Sequence, residues 1–243
     1  FIGRFNRLLE CLAENPDIRL FEAEKLLGTT SLNNDHSQAQ LTPRIEKKLQ
    51  IAICATFTAD PIVDHLRWWL KQFGENAEVR FAPYNQIFQE LLNSSSLIST
   101  NQGVNVFFIR FEDWLRFDQS PNEEKRQRIE LDFNRLVTIL QEKQKTISYL
   151  FGIFPAPSHL GLSDDLIAFI ENINKRWKTA LESMENVYWV DFAKIPWLYN
   201  IANVFNIAAD SIGHIPFSDE FYAAMGAVTA RKILALQKSP FKV

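Results

Sequence analysis

The sequence predicts an α/β protein: a three-layer, doubly wound, mainly parallel five-stranded sheet carrying a small helical appendage on its N-terminal side. Two observations predict it. Short apolar segments with many β-branched residues alternate about five times with longer segments whose apolar residues recur at helical spacing. That order implies parallel strands joined by right-handed crossovers, with helices on both faces. Length and composition leave room for the core, since 243 residues at 47% hydrophobic and 23% charged are ordinary for a large soluble domain.

Residues 1–27 carry Phe5, Leu8, Leu9 and Leu12 on a helical pattern, broken at Asn15-Pro16 and resumed by Phe21, Ala23, Leu26 and Leu27. Residues 28–43 are polar and read as a linker, which divides an appendage over 1–43 from an α/β domain over 44–243. The compact apolar run 50–56 predicts a buried first strand. Pro61 then opens a helix on which Ile62, Leu66, Trp69 and Leu70 recur, and Gly74 ends it. Residues 78–82 alternate like a second strand stopped by Pro83, with a helix from Tyr84 to Leu92. Residues 104–109 are a third strand, followed by a long charged helix over 123–145 with Ile129, Phe133, Leu136 and Leu140 on one face. Residues 147–154 are a fourth strand, Ser163 caps a helix over 164–183, and 187–191 are a short fifth strand. Ser218 caps a last helix through Leu236.

A net charge of -3 offers no electrostatic footprint for nucleic acid. The longest apolar runs are too short to span a bilayer, and no signal-peptide order opens the chain. Cys11 and Cys54 sit in a helical pattern and an apolar run, so both are expected as free thiols in a reducing cytoplasm. There is no Gly-rich phosphate loop, no HExxH and no paired Cys or His spacing, which argues against a phosphate-loop nucleotide site and a structural zinc.

A parallel sheet places its sites at the carboxyl ends of its strands, so the residues just after each strand are the candidates. Asp210 and His214, four apart and separated by Gly213, form the leading pair: a carboxylate that bonds one ring nitrogen fixes the tautomer and frees the other as a base. The stretch 210–214 is expected as a loop. Thr56 and Thr58 are the hydroxyls after the first strand, each a nucleophile, a substrate contact or a local backbone partner. Asn85 can donate to an oxyanion or cap its helix, and Arg110 can bind an anion or pair with Glu112 or Asp113 at the surface. Tyr84, Phe57, Pro155 and Phe217 complete the expected substrate contacts. His65 and His159 read as ordinary residues.

Ala55-Thr-Phe-Thr58 with Asp60-Pro61, Ala82-Pro-Tyr-Asn-Gln86, Phe111-Glu-Asp-Trp114, and Gly213-His-Ile-Pro-Phe217 with Phe221 and Arg231-Lys232 resemble the N-terminal half of FkbH-like proteins, over roughly residues 49–243. The resemblance implies an SGNH-hydrolase-like, flavodoxin-like domain. It also implies that a haloacid-dehalogenase-type, phosphatase-like domain begins after a junction like Ser239-Pro-Phe-Lys-Val243. Residues 5–27 resemble the linker after a condensation domain of nonribosomal peptide synthetases. Together these imply a domain of a nonribosomal peptide or polyketide assembly line that acts on or positions an acyl thioester, of glyceryl type in that family. The expected partners are an acyl or peptidyl carrier protein and neighbouring synthetase domains, with the phosphopantetheine arm as substrate carrier and no cofactor bound directly. On the SGNH pattern, Asp210 and His214 match the last block, Thr56 stands where relatives carry serine, and Arg110-Phe-Glu-Asp113 replaces the Gly-x-Asn block. Those departures keep two other expectations open, an inactive docking platform and a free-standing esterase.

Overall fold

Apolar segments that are short and β-branched favour strands because the side chains pack on a pleated surface, and five of them pair here. The computed structural model describes residues 48–143, 148–158 and 160–237. The expected appendage and linker over 1–43, Cys11, His159 and the junction stretch 239–243 lie outside the described residues.

The strands are β1 (Leu49–Ala55), β2 (Ala77–Phe81), β3 (Val104–Phe108), β4 (Tyr149–Ile153) and β5 (Val187–Asp191). Each neighbouring pair is parallel, in the order β2-β1-β3-β4-β5. Central parallel strands are covered on both faces, which is why β1, β3 and β4 read as nearly continuous apolar runs. At the edge, β2 alternates, with Val79 buried and Glu78 and Arg80 exposed.

The helices are α1 (Ile62–Gln72), α2 (Ile87–Leu92), α3 (Leu97–Thr100), α4 (Asn122–Lys143), α5 (Asp164–Glu182), α6 (Ile195–Leu198), α7 (Ile207–Gly213) and α8 (Asp219–Gln237). Successive strand residues point to opposite faces. Ile51, Ile53 and Ala55 therefore pack with Leu66 and Leu70 of α1 and Phe221 and Met225 of α8. Ala52 and Cys54 pack with Leu91 of α2, Ile129 and Phe133 of α4 and Ile170 and Trp177 of α5. Helices α1 and α8 approach closely at Gly226, where a Cβ would stand 2.6 Å from His65 Cβ. Ser163 and Ser218 cap as expected, accepting from the backbone N–H groups of Leu166 and Phe221.

Two expected elements are corrected. The helix expected from Tyr84 begins only at Ile87, with Tyr84 and Asn85 in a turn. Residues 207–213 are a helix rather than a loop, started by the Asn206 side chain, which accepts from the Ala209 N–H at 3.0 Å. His214 ends it in the left-handed region, φ 51° and ψ 44°, with its N–H donating to the Asp210 carbonyl at 3.0 Å. A left-handed residue closes a helix by satisfying carbonyls that have no partner further along, a place usually held by glycine or asparagine.

Candidate functional site

The strand order reverses between β1 and β3: β1 leads to β2 on one side, and the chain returns to lay β3 on the other. Open α/β sheets form their ligand crevice outside such a point. Here the ladder runs one step past the strands. The Thr56 N–H donates to the Phe108 carbonyl at 3.0 Å, and the Arg110 N–H donates to Thr56 Oγ1 at the same distance. The side chain thus replaces a backbone acceptor, and the Thr56 hydroxyl is turned inward, fully buried.

That hydroxyl donates to Asp113 Oδ2 at 2.6 Å. The other carboxylate oxygen of Asp113 stands 3.0 Å from His214 Nε2. Asp113 belongs to the single 3₁₀ turn Phe111–Leu115 that follows β3, which points it back over the strand end. The sequence reading pairs Asp210 with the imidazole. In the structure Asp210 Oδ1 is 3.9 Å from Nε2 and accepts from Arg116 at 2.8 Å, while Arg116 also donates to the Asp210 carbonyl. The closer carboxylate is Asp113, 101 positions away in the chain.

An ionised carboxylate only accepts, and Thr56 already donates to one of its oxygens. Nε2 then carries the hydrogen that faces Asp113, and in that tautomer Nδ1 is left as an acceptor. The Tyr84 hydroxyl bonds to Nδ1, with the two rings edge to face at 5.7 Å. Burial, then the charge of Asp113, pushes the Tyr84 phenol above its ordinary pKa, so it stays neutral and can donate.

Around this chain of bonds lies a buried ion cluster. Arg110 Nε donates to Glu112 Oε1 at 2.9 Å, and its Nη2 lies 3.5 Å from Asp113 Oδ1. The guanidinium carbon sits 5.7 Å from the Phe57 ring centre and 5.4 Å from that of Phe217, within cation–π range. Burial works against the guanidinium charge, but Asp113 and Glu112 outweigh it and raise its pKa. Glu112 is pushed up by burial, against the opposing pull of Arg110. A small cleft of about 100 Å³ opens beside the cluster, lined by Glu112, Asp113, Leu115, Arg116, Leu160 and Leu162.

The other expected site residues divide. Thr58 straps the end of α7: its hydroxyl donates to the Gly213 carbonyl at 2.8 Å, its N–H donates to the His214 carbonyl at 2.9 Å, and the Tyr222 hydroxyl donates to the Thr58 carbonyl at 3.0 Å. Asn85 is exposed at φ 55°, its N–H donating to the Ala55 carbonyl at 3.1 Å. That fixes the backbone beside Tyr84, and the N-cap of α2 is Gln86 instead. Phe57 and Phe217 are corrections to the substrate-contact set, because both are buried in an aromatic cluster with Phe154. Arg110 is a second correction: it is 1% exposed, so its pairing with Glu112 and Asp113 is an interior one. Pro155 is half-buried in the segment after β4. Two residues were not singled out as site members, Asp113 and Arg116. The available signal was the Arg110-Phe-Glu-Asp113 spacing, which on a helical turn brings the first and last side chains together.

No helix of the described residues is long and apolar enough to cross a membrane, and among those residues no group of three or more His, Cys, Asp or Glu is arranged to hold a metal ion. The sequence matches no protein-family model and no curated protein. Among solved structures, it is similar to the N-terminal part of a Bacteroides fragilis protein containing a phosphatase domain, complexed with magnesium, at 16% identity and a TM-score of 0.67. That match covers 79% of this chain and 53% of the other, so this chain spans about half the length of its relative. A lipolytic protein of the G-D-S-L family from Veillonella parvula matches at 14% identity and a TM-score of 0.47, over 77% of this chain and 97% of that one. A GDSL-like lipase from Bacteroides thetaiotaomicron matches at 14% identity and 0.48, over 81% and 93%. The match to the Bacteroides fragilis protein's N-terminal part establishes a shared fold.

Proposed function

We propose that this domain works in a nonribosomal peptide or polyketide assembly line, handling an acyl thioester on the phosphopantetheine arm of a carrier protein, with His214 as the base. One observation carries the reading: His214 is held by buried Asp113 on one ring nitrogen, while the other faces a half-exposed phenol at the carboxyl edge of the sheet. The segments that resemble FkbH-like proteins support it, because they follow β1, β2 and β3 and close α7, so they converge on this edge. The phosphatase domain of the Bacteroides fragilis protein supports a neighbour of that kind downstream.

A second reading is favoured by a specific observation. The Thr56 hydroxyl is buried and committed to Asp113, so no acyl-enzyme forms there without breaking that bond. On this reading the domain is an SGNH-like platform that positions the carrier for chemistry elsewhere. Acyl-loaded carrier proteins incubated with the domain, their pantetheine arms followed by intact mass, separate the two. Release or transfer of the acyl group that disappears in His214→Ala supports the base. Carrier binding without any change of mass replaces it with the platform.

A further inference from the structure

We infer that Tyr84, not the imidazole, is the group that exchanges a proton with whatever enters the site, and that His214 and Asp113 act behind it. The inference rests on the reading of His214 as a base and names how that base reaches its substrate. Both ring nitrogens of His214 are occupied, Nε2 by Asp113 and Nδ1 by Tyr84, and the residue is 7% exposed. Tyr84 is 53% exposed. The phenol oxygen has a further lone pair after donating to Nδ1, so it can accept from an incoming group.

The step balances without a co-reactant. An alcohol, thiol or water held against Tyr84 gives its proton to the phenol oxygen as it attacks an electrophile. The phenol's own proton moves to Nδ1 of His214. The X–H bond breaks and a new phenol O–H forms; the old phenol O–H breaks and an Nδ1–H forms. The resulting imidazolium is balanced by Asp113, with Asp210 at 3.9 Å adding negative charge. The groups whose charges bear on Tyr84 are Asp113 and Asp210, opposed by Arg116 and Arg110. No proton passes to the carboxylate, as in any relay where the acid orients the ring and offsets its charge. Collapse of the tetrahedral adduct breaks the thioester C–S bond; the leaving pantetheine thiolate takes a proton from the phenol, and Nδ1–H returns its proton to the phenol oxygen, which restores the relay. The substrate class is a hydroxyl, thiol or water nucleophile attacking an acyl thioester, with no covalent bond to this domain.

The test has two arms. In the first, ¹⁵N-histidine protein is examined by long-range proton–nitrogen NMR without any substrate. His214 is expected as the Nε2–H tautomer, with an Nδ1 resonance that moves in Tyr84→Phe, which keeps the ring and removes the donor. A wild-type Nδ1–H tautomer, or an Nδ1 resonance unchanged by Tyr84→Phe, overturns the relay. In the second, acetyl-loaded carrier protein is the substrate: Tyr84→Phe is expected to lower kcat by about 100-fold with little change in KM. Wild-type kcat in Tyr84→Phe overturns the role. If the wild type itself turns over no acyl carrier, the proposed function fails while the NMR arm still decides the relay.

Discussion

Asp113 stands between Thr56 and His214, taking the hydroxyl of one at 2.6 Å and facing the imidazole of the other at 3.0 Å. A carboxylate can accept on both oxygens, whereas the amide of Asn must present a donor on one side. Asp113→Asn therefore breaks one of the two bonds or flips the tautomer of His214. It is expected to lower stability by about 1–3 kcal/mol, read by denaturant unfolding, and to slow any acyl turnover by about 100-fold or more. A variant with wild-type stability and an unchanged His214 tautomer refutes the bridging role.

Thr56 is expected to matter for stability rather than as a nucleophile. Thr56→Val keeps the shape but leaves the buried Arg110 N–H without its acceptor, a cost of about 1–3 kcal/mol. Thr56→Ser keeps both bonds and should cost clearly less. If Val and Ser variants unfold at the same denaturant concentration, the hydroxyl is not holding the strand ends together.

Glu112 gives the protein a pH signature. Burial raises its pKa above the ordinary 4.5, so between those two values the folded state keeps a proton that the unfolded state has released. Its contribution is full below that ordinary value and is lost as pH rises through the folded one, with a slope of at most about 1.4 kcal/mol per pH unit. Glu112→Gln cannot titrate, and its amide oxygen can still accept from Arg110. The unfolding free energy of the variant minus that of the wild type should therefore climb as pH rises from 4.5. Equal pH slopes in the two proteins would contradict a buried, proton-holding acid.

Gly226→Ala tests the closest helix contact. Alanine favours a helix interior by about 1 kcal/mol over glycine, yet the new methyl would meet His65 Cβ at 2.6 Å and the Leu66 nitrogen at 3.0 Å. Overpacking should win, lowering stability by about 1–3 kcal/mol. A raised melting temperature would mean that α1 and α8 can part without cost.

The sheet was legible because β1, β3 and β4 are apolar runs and β2 alternates up to Pro83; residues 187–191 match the observed limits of β5. Helix α7 was not, since seven residues give too little periodicity, and the Asn206 cap was its only clear sign. Position at a strand end told which residues approach the crevice but not which way they point. Thr56, Phe57 and Thr58 show the difference: the first points to Asp113, the second into the aromatic core, the third to Gly213. The partnership of Asp113 with His214 was hidden for another reason. It joins a turn after β3 to the end of α7, and nothing local in either segment encodes the other.

The burial of Arg110 sets how the site responds to salt. Mobile ions weaken charges that face solvent, with a screening length of about 8 Å at physiological ionic strength, but they reach a buried pair far less. Arg110 and Asp113 are 1% and 6% exposed, whereas the Arg176–Glu130 pair lies on the surface. Raising ionic strength should loosen the surface pair while the field that Arg110 casts on Asp113, and through it on His214, stays nearly constant. The bonds that orient the imidazole are then set by the folded interior and not by the medium around it.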